Sequence, residues 1–197
     1  MGKENMQNKK PMILVLAGPN GSGKSTITAF FDKVGKYTNA DDVVATTGMN
    51  NMEAAVLVDR MRYESIAKKE DFTFETVLSS EYKLNILRKA KEEGYFIKCV
   101  FVLTVDPQIN IARVKYRVSV GGHPVPEQKI IERYYRSMDL LMQAIECCDR
   151  AYLFDNSSDG IQASFLAEIE AAETLKMNAA VSKLPRWFAE RVLSEFQ

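Results

Sequence analysis

The sequence predicts an α/β protein with a mainly parallel, five-stranded sheet that is flanked by helices. Strand-like apolar runs alternate along the chain with segments whose apolar residues recur at helical spacing. A glycine-rich loop joins the first strand to the first helix, and acidic residues follow later strands directly. Because strands separated by helices return through crossover connections, they are expected to run parallel.

The balance of charge and the length of the chain restrict the partners and the number of domains to expect. The 197 residues include 26 basic and 26 acidic side chains, so the formal net charge is zero. This balance gives no indication of a nucleic-acid or membrane partner. We expect residues 1–10 to be a disordered lead-in and residues 11–197 to form one domain. The amino-terminal segment has no apolar core typical of a signal peptide, so a cytoplasmic protein is expected.

The first strand, at residues 12–17, is a continuous apolar run typical of a strand covered on both faces. The loop after it reads Gly18-Pro-Asn-Gly-Ser-Gly-Lys-Ser25, a G-x-x-x-x-G-K-[ST] pattern. Glycines let backbone N–H groups converge on an anion, and the next helix adds its positive end. The pattern predicts a P-loop for ATP and Mg²⁺, with Lys24 on the β- and γ-phosphates and the Ser25 hydroxyl on the metal. The residues expected to bind the nucleotide are Gly18, Pro19, Asn20, Gly21, Ser22, Gly23, Lys24, Ser25 and Thr26.

The next segments alternate between helix and loop. Apolar residues at helical spacing predict a helix that starts at Lys24 and ends at Gly35. A second helix is predicted over 52–69, with Arg62 on its polar face, and the residues between 43 and 50 are predicted to be a loop.

Carboxylates mark the ends of the second and third predicted strands. Asp41 and Asp42 follow a short strand at 37–40, and Glu75 lies near the end of a strand at 71–77. In open parallel sheets, ligands bind outside the carboxyl ends of the strands, so these side chains are candidates for chemistry. The alternative for the aspartate pair is that one of them caps a helix.

Residues 107–147 are predicted to form a helical lid, in which a Gly121–Pro126 turn joins two helices. In a kinase, mobile arginines neutralise the phosphoryl group during its transfer. The alternative for each such arginine is a solvated helix face. The lid helices carry Arg113, Arg117, Arg133 and Arg136.

The last part of the chain adds a fifth strand at 151–154, followed by Asp155 and Asn156. These two residues either border the adenine or form a turn. Alternation of apolar and polar residues favours an added edge strand at 165–170, and a closing helix is predicted at 184–196.

Signatures that are absent from the sequence help to separate the classes of P-loop protein. A switch GTPase would carry a guanine-reading N-K-x-D motif, and a motor or ABC-type ATPase a second-strand D-E or transporter signature. A small-molecule kinase needs a base, carboxylates for metal or substrate, and mobile arginines, and candidates for all three are present.

An ordered set of motifs over about residues 12–158 resembles the zeta-toxin family of P-loop kinases, especially its chromosomal zeta-like branch often labelled predicted ABC-type ATPase. The motifs are the P-loop Gly18–Ser25, Asn39-Ala-Asp-Asp42, Phe74-Glu-Thr-Val-Leu-Ser-Ser80, Gly121-Gly-His-Pro-Val-Pro126 and Ile131-Glu-Arg-Tyr-Tyr-Arg-Ser137. Zeta toxins use ATP and Mg²⁺ to phosphorylate a sugar hydroxyl of UDP-N-acetylglucosamine.

The resemblance implies a role for each matched position. It implies that Lys24, Arg117 and Arg133 are catalytic and that Asp41 is the base. Arg113 and Arg136 are the alternates for contact with the phosphates. The residues implied to bind the substrate are Asp42, Glu75 and Thr76. The segment after Asp42 differs from the sugar site of the plasmid toxins, so a nucleoside, an antibiotic or another sugar stays open as the acceptor. So does a regulatory nucleotide-binding ATPase without an acceptor. An antitoxin partner is implied only if the protein acts as a toxin.

Overall fold

The computed structural model of the chain describes residues 9–158 and 162–196, so most of the predicted lead-in lies outside the described residues. Strands and helices alternate over most of this length. The strands are β1 (Met12–Ala17), β2 (Lys36–Thr38), β3 (Phe72–Thr76), β4 (Phe96–Leu103), β5 (Arg150–Asp155), β6 (Ser164–Glu170) and β7 (Thr174–Met177). The helices are α1 (Lys24–Thr28), α2 (Ala40–Thr47), α3 (Asn51–Lys68), α4 (Glu81–Glu92), α5 (Pro107–Ser119), α6 (Glu127–Asp139), α7 (Leu141–Glu146) and α8 (Arg186–Arg191), with a final 3₁₀ turn at Leu193–Phe196.

The strands form one sheet in the order β2-β3-β1-β4-β5-β6-β7. The first five of these strands are parallel, which confirms the predicted α/β class with a mainly parallel sheet. The predicted count of five strands is wrong, because β6 and β7 extend the sheet as antiparallel strands. Strand β6 was expected at the edge, but β7 covers it. The four residues of β7 alternate polar and apolar side chains, but the run is short and mostly exposed, so it was not predicted as a strand.

Strand β1 is buried on both faces, as its continuous apolar run predicts. Ile13 and Val15 face the larger core, and Leu14 and Leu16 face the smaller core on the other side of the sheet. This alternation follows from the strand geometry, in which successive side chains point to opposite faces. The loop after β1 therefore starts from a rigid point in the middle of the sheet.

Helix α1 is shorter than predicted, since it ends at Thr28 instead of continuing to Gly35. The Thr28 hydroxyl donates to the Lys24 carbonyl at 2.8 Å, which competes with regular helical bonding. Beyond it, the Val34 N–H donates to the Thr73 Oγ1 at 2.8 Å, and the same hydroxyl donates back to the Val34 carbonyl. The segment is thereby held against the Thr73 side chain of β3 and cannot extend the helix.

Residues 40–47 form a helix where the sequence predicted a loop from residue 43. Asn39 caps this helix, since its side-chain oxygen accepts the Asp41 N–H at 3.0 Å. The alternative in which one of the two aspartates is the cap is therefore wrong. None of the residues of α2 is buried, so there was no apolar stripe from which to predict the helix.

The predicted long helix of the lid is divided at Leu140 into α6 and α7. Helix α7 packs in the larger core, whereas α5 and the start of α6 share a small core of their own, formed by Ile111, Val114 and Ile130. Across the described part of the chain, no helix combines the length and apolarity required to span a membrane.

Candidate active site

The P-loop is wrapped tightly against its surroundings. Gly21 has a φ of +76°, and a Cβ atom at this position would lie 2.4 Å from the Asn110 carbonyl oxygen of α5. A real side chain would therefore be strained by the backbone angle and would also collide with a fixed backbone atom. Gly18, the first glycine of the G-x-x-x-x-G-K-[ST] pattern, is confined in the same way, because a Cβ there would lie 2.2 Å from the Val102 carbonyl oxygen. The spacing that predicted the loop is therefore required by its packing as well as by its curvature.

Two asparagines hold the P-loop from opposite sides. The Asn110 side-chain N–H donates to the Asn20 carbonyl at 2.7 Å, and the Asn156 side-chain N–H donates to the Ser22 carbonyl at 2.8 Å. Asn110 is fully buried, and its Oδ1 accepts the Thr104 hydroxyl. No sequence pattern indicates Asn110, and Asn156 was predicted to border the adenine or to form a turn.

Lys24 is folded back over the loop. Its Nζ donates to the Gly18 carbonyl at 2.7 Å and to the Pro19 carbonyl at 3.1 Å. The Ser22 hydroxyl is buried and has no hydrogen-bond partner within the described residues. A phosphate oxygen would give this hydroxyl an acceptor and would give the ammonium an ionic partner, so the residues present fit a nucleotide phosphate.

Four charged side chains shift the pKa of Lys24, two of them upward and two downward. Burial lowers the pKa of Lys24 to about 8, while the Glu75 and Asp41 carboxylates oppose that shift. The guanidinium groups of Arg117 and Arg133 lower the same pKa. The structure therefore brings together five of the predicted site residues, which lie far apart in the sequence.

Arg133 reaches the P-loop directly. Its Nη1 donates to the Asn20 side-chain oxygen at 3.0 Å. The next residue, Tyr134, is buried and anchors α6 because its hydroxyl donates to the Thr104 carbonyl at 2.7 Å. The anchored helix thereby fixes the position from which the guanidinium extends.

Arg117 is held by the turn between α5 and α6. Its Nη2 donates to the His123 carbonyl at 3.1 Å, and its own carbonyl accepts the Gly122 N–H at 2.8 Å. A Cβ at Gly122 would lie 2.6 Å from the Arg117 Cγ, so the glycine lets the turn close on the arginine. The Gly-Gly-His-Pro motif thus holds the side chain of Arg117, which precedes it in the sequence.

The other two lid arginines have different surroundings. Arg113 donates to the Asn156 carbonyl at 2.6 Å and to the Ser158 carbonyl at 3.4 Å, which ties α5 to the loop after β5. Arg136 is exposed and pairs with Glu132 at 3.5 Å on its own helix. The guanidinium groups with the largest influence on the pKa of Lys24 are those of Arg117 and Arg133.

The carboxylates at the strand ends face a cluster that includes an unpredicted tyrosine. The Tyr37 hydroxyl donates to the Glu75 Oε1 at 2.8 Å and accepts the Asn39 side-chain N–H at 3.3 Å. Burial and the Glu75 carboxylate raise the pKa of Tyr37, so the phenol keeps its proton. Asp41 and Asp42 lie exposed in the first turn of α2.

A cleft of about 140 Å³ opens between the end of β2, α2 and α3. Its lining is mainly apolar, with polar groups at the end of β2 and the start of α2. Among the lining residues are Tyr37, Asn39, Asp42, Val58 and Met61.

The remaining predicted residues lie around the loop. Ser25 and Thr26 are exposed in the first turn of α1. Thr76 is buried, its carbonyl accepts the Gly18 N–H at 3.2 Å, and its hydroxyl accepts the Leu78 N–H at 3.0 Å. Over residues 9–158 and 162–196, no three His, Cys, Asp or Glu side chains converge on a point where they could hold a metal ion.

Comparisons with known sequences and structures show the family of the chain. The sequence model of the zeta toxin family, described as "Zeta toxin", matches residues 36–158. The chain belongs to the zeta toxin family. A Haemophilus influenzae protein is 30% identical to it over 135 residues, which cover 66% of this chain and 94% of the relative. The predicted resemblance is thereby confirmed, and zeta toxin family membership together with the fold makes the protein a kinase-type P-loop enzyme.

Solved structures show the same fold at low sequence identity. The AvrRxo1-ORF1:-ORF2 complex superposes with a TM-score of 0.66 at 18% identity, covering 87% of this chain and 62% of the matched one. This chain thus spans less than two thirds of that matched chain. A structure from the PezAT chromosomal toxin-antitoxin system of Streptococcus pneumoniae has a TM-score of 0.57 at 15% identity and covers 98% and 90% of the two chains.

Proposed function

We propose that this zeta toxin family member transfers the γ-phosphoryl group of ATP to a hydroxyl group of a small metabolite. The observation that carries the proposal is the electrostatic arrangement around Lys24. The carboxylates of Glu75 and Asp41 raise the pKa of its ammonium group, and two lid guanidinium groups lower it, so charges of both signs, carried on separate elements, surround Lys24. Phosphoryl transfer needs this separation, with cations around the moving group and a carboxylate beside the acceptor oxygen.

The cationic side of the site has a clear task in this reaction. Lys24, Arg117 and Arg133 neutralise the charge on the transferring phosphoryl group, and the P-loop N–H groups bind the neighbouring phosphates. Ser25 would hold Mg²⁺, which when bound neutralises the β- and γ-phosphate charge. A structure of the AvrRxo1-ORF1:AvrRxo1-ORF2 complex contains ATP, which supports ATP as the nucleotide for this fold.

The carboxylate side receives the acceptor. Asp41 accepts the hydroxyl proton as general base, and Glu75 and Asp42 bind the acceptor. The cleft beside Tyr37 lies next to these carboxylates and has room for a part of the acceptor. We propose UDP-N-acetylglucosamine as the acceptor, on the strength of family membership. A second sugar, a nucleoside or an antibiotic would use the same carboxylates.

The toxin-antitoxin context of one structural neighbour bears on partners. That neighbour comes from the PezAT toxin-antitoxin system. We propose that this chain has an antitoxin partner if its phosphotransfer proves toxic. Toxicity on overexpression that disappears in Lys24→Ala would support this, and toxicity that persists in the variant would contradict it.

The test is a transfer assay with γ-labelled ATP, Mg²⁺ and a panel of nucleotide sugars, nucleosides and antibiotics. We expect label on an acceptor with the wild type, and a loss of about 10³-fold in rate for both Lys24→Ala and Asp41→Asn. The matched control is Asp32→Asn, which removes the charge of an exposed aspartate that takes no part in the contacts described above. Its rate should equal that of the wild type.

The other outcomes separate the competing functions. Label that is released only as free phosphate, at a rate unchanged in Asp41→Asn, would overturn the proposal in favour of an ATPase. Tight ATP binding with no turnover on any acceptor would overturn it in favour of a regulatory nucleotide-binding protein. Transfer to a nucleoside or antibiotic, but not to UDP-N-acetylglucosamine, would retain the phosphotransferase and replace the acceptor.

A further inference from the structure

Arg62 is a charged side chain in the protein interior that the reaction described above does not use. It lies in α3, and only 2% of it is exposed, so its predicted place on the polar face of the helix is wrong. Removing a guanidinium group from water is unfavourable unless its N–H groups are satisfied by hydrogen bonds. Its partners therefore indicate what the residue is for.

The contacts of Arg62 join the ends of two neighbouring strands. Its Nη2 donates to the Thr38 carbonyl at 3.2 Å and to the Glu75 carbonyl at 3.3 Å, and its Nε donates to the Thr38 hydroxyl at 3.0 Å. The guanidinium carbon lies 4.4 Å from the centre of the Phe74 ring. One planar group thus holds β2 and β3 side by side at their carboxyl ends.

These bonds continue the sheet where its own pairing stops. The parallel pairing of β2 and β3 ends at Thr38 opposite Phe74. The next residues are Asn39, which caps α2 and so sets the position of Asp41, and Glu75. Without Arg62, the described hydrogen bonds would leave the two strand ends joined beyond this point only through the Tyr37 hydroxyl.

The positive charge of Arg62 is balanced by a buried carboxylate on the same helix. Its Nη1 donates to the Asp59 Oδ1 at 2.9 Å, and Lys83 pairs with the Asp59 Oδ2 at 2.5 Å. Asp59 is itself 3% exposed. Since a buried ion pair gives little net stability compared with apolar packing, stability alone is a weak reason for this cluster.

We infer that Arg62 is a positioning residue for the acceptor side of the site, where it fixes the spacing between Glu75 and the Asn39–Asp41 turn. The inference rests on the proposed phosphotransfer, because it assigns Arg62 to the geometry of the acceptor and not to ATP. It predicts that a change at Arg62 alters the use of the acceptor and leaves the binding of ATP intact.

Arg62→Lys provides the test, because lysine keeps the charge beside Asp59 but lacks the planar fork that reaches both carbonyls. We expect kcat/KM for the acceptor to fall by about 100-fold, the scale of a misplacement of about 1 Å at a reacting group. The Kd of a non-hydrolysable ATP analogue should differ by less than about twofold between Arg62→Lys and the wild type. The matched control is Arg60→Lys on the same helix, whose arginine is exposed and pairs with Glu64, and which should leave both quantities unchanged.

A second variant keeps the test independent of folding. Thr38→Val preserves the shape and charge of the region but removes the hydroxyl that accepts from Arg62. We expect a fall of about tenfold in kcat/KM for the acceptor, again without a change in the Kd of the ATP analogue. If the arginine variant fails to fold, this variant decides the question.

The outcomes distinguish this inference from the proposed function. If the wild type transfers no phosphate to any acceptor, the proposed function fails. If the wild type is active and Arg62→Lys and Thr38→Val match it, or if both variants weaken ATP binding as much as acceptor use, the role assigned to Arg62 is overturned.

Discussion

The nucleotide loop and the carboxylate-bearing strand ends lie at the same edge of the sheet, but they are held in different ways. We call them the donor half (residues 18–25 with Asn110, Asn156 and Arg133) and the acceptor half (Tyr37, Asn39, Asp41, Asp42 and Glu75). The donor half is clamped by two asparagines and by glycines that leave no space for a side chain. The acceptor half borders an open cleft and carries two exposed aspartates.

A rigid loop suits the phosphate groups, which are the same in every nucleotide donor. An open cleft suits acceptors, which differ from one reaction to another. In the proposed reaction the acceptor contacts Asp41 and Asp42 on an exposed helix, where substitutions do not disturb the core. Arg62 is the exception, because it lies in the interior and connects the acceptor half to the packed sheet.

The largest effect on ATP binding is expected from a substitution that breaks the rigidity of the donor half. Gly21 and Gly94 have φ angles of +76° and +77°, but a Cβ would lie 2.4 Å from the Asn110 carbonyl oxygen at Gly21 and would meet no atom within 4 Å at Gly94. Gly21→Ala should weaken ATP binding by about 100-fold or more, since the loop must move to relieve the collision. Gly94→Ala imposes the same backbone strain of about 1 kcal/mol and should leave the Kd unchanged.

Calorimetric titration of both variants with ATP measures the difference, and thermal unfolding measures the strain they share. Equal Kd values for the two variants would show that the loop is not held tightly. The contrast between the two halves would then be wrong.

A second effect, on the rate of transfer and not on ATP binding, is expected at the lid. Arg133 donates to the P-loop residue Asn20, whereas Arg136, three residues later, pairs only with Glu132 among the described contacts. Arg133→Ala should lower the single-turnover rate of phosphate transfer by about 10³-fold, as expected for a guanidinium that stabilises the transition state. Arg136→Ala, one turn along the same helix, should change it by less than about twofold. Losses of similar size in the two variants would contradict the distinction drawn between them.

The same two halves show how far the sequence could predict the molecule. The P-loop and the parallel sheet were predicted, because glycine spacing and strand periodicity are local properties of the chain. The choice of Arg117 and Arg133 over Arg113 and Arg136 came from the family resemblance, and the contacts around Lys24 agree with it. Their catalytic roles stay predictions.

What the sequence could not reveal depends on contacts between distant residues. Asn110 and Asn156 clamp the loop from 90 and 134 residues away, and no local pattern connects either of them with the loop. Arg62 followed the charge pattern of an exposed helix face, yet its partners lie on two strands. Helix α2 was missed for the opposite reason, since an exposed helix needs no apolar stripe.

The smallest expected effect is on the pH dependence of ATP binding, and it tests the electrostatics that join the halves. Burial lowers the pKa of Lys24 to about 8 in the nucleotide-free protein. ATP binds the charged ammonium more strongly than the neutral amine, so above that pKa binding must take up a proton. The Kd should therefore rise as the pH increases through about 8, to about tenfold above its neutral value near pH 9.

Calorimetric titration in two buffers of different ionisation heat measures both the Kd and the proton uptake. Uptake should be small near pH 7 and approach one proton near pH 9. In Lys24→Arg the guanidinium stays charged throughout, so the pH dependence should disappear even if the affinity is lower. A Kd that is flat across this range in the wild type would mean that Glu75 and Asp41 offset the burial of Lys24 completely, and the acceptor half would then be coupled to the donor half more strongly than the geometry indicates.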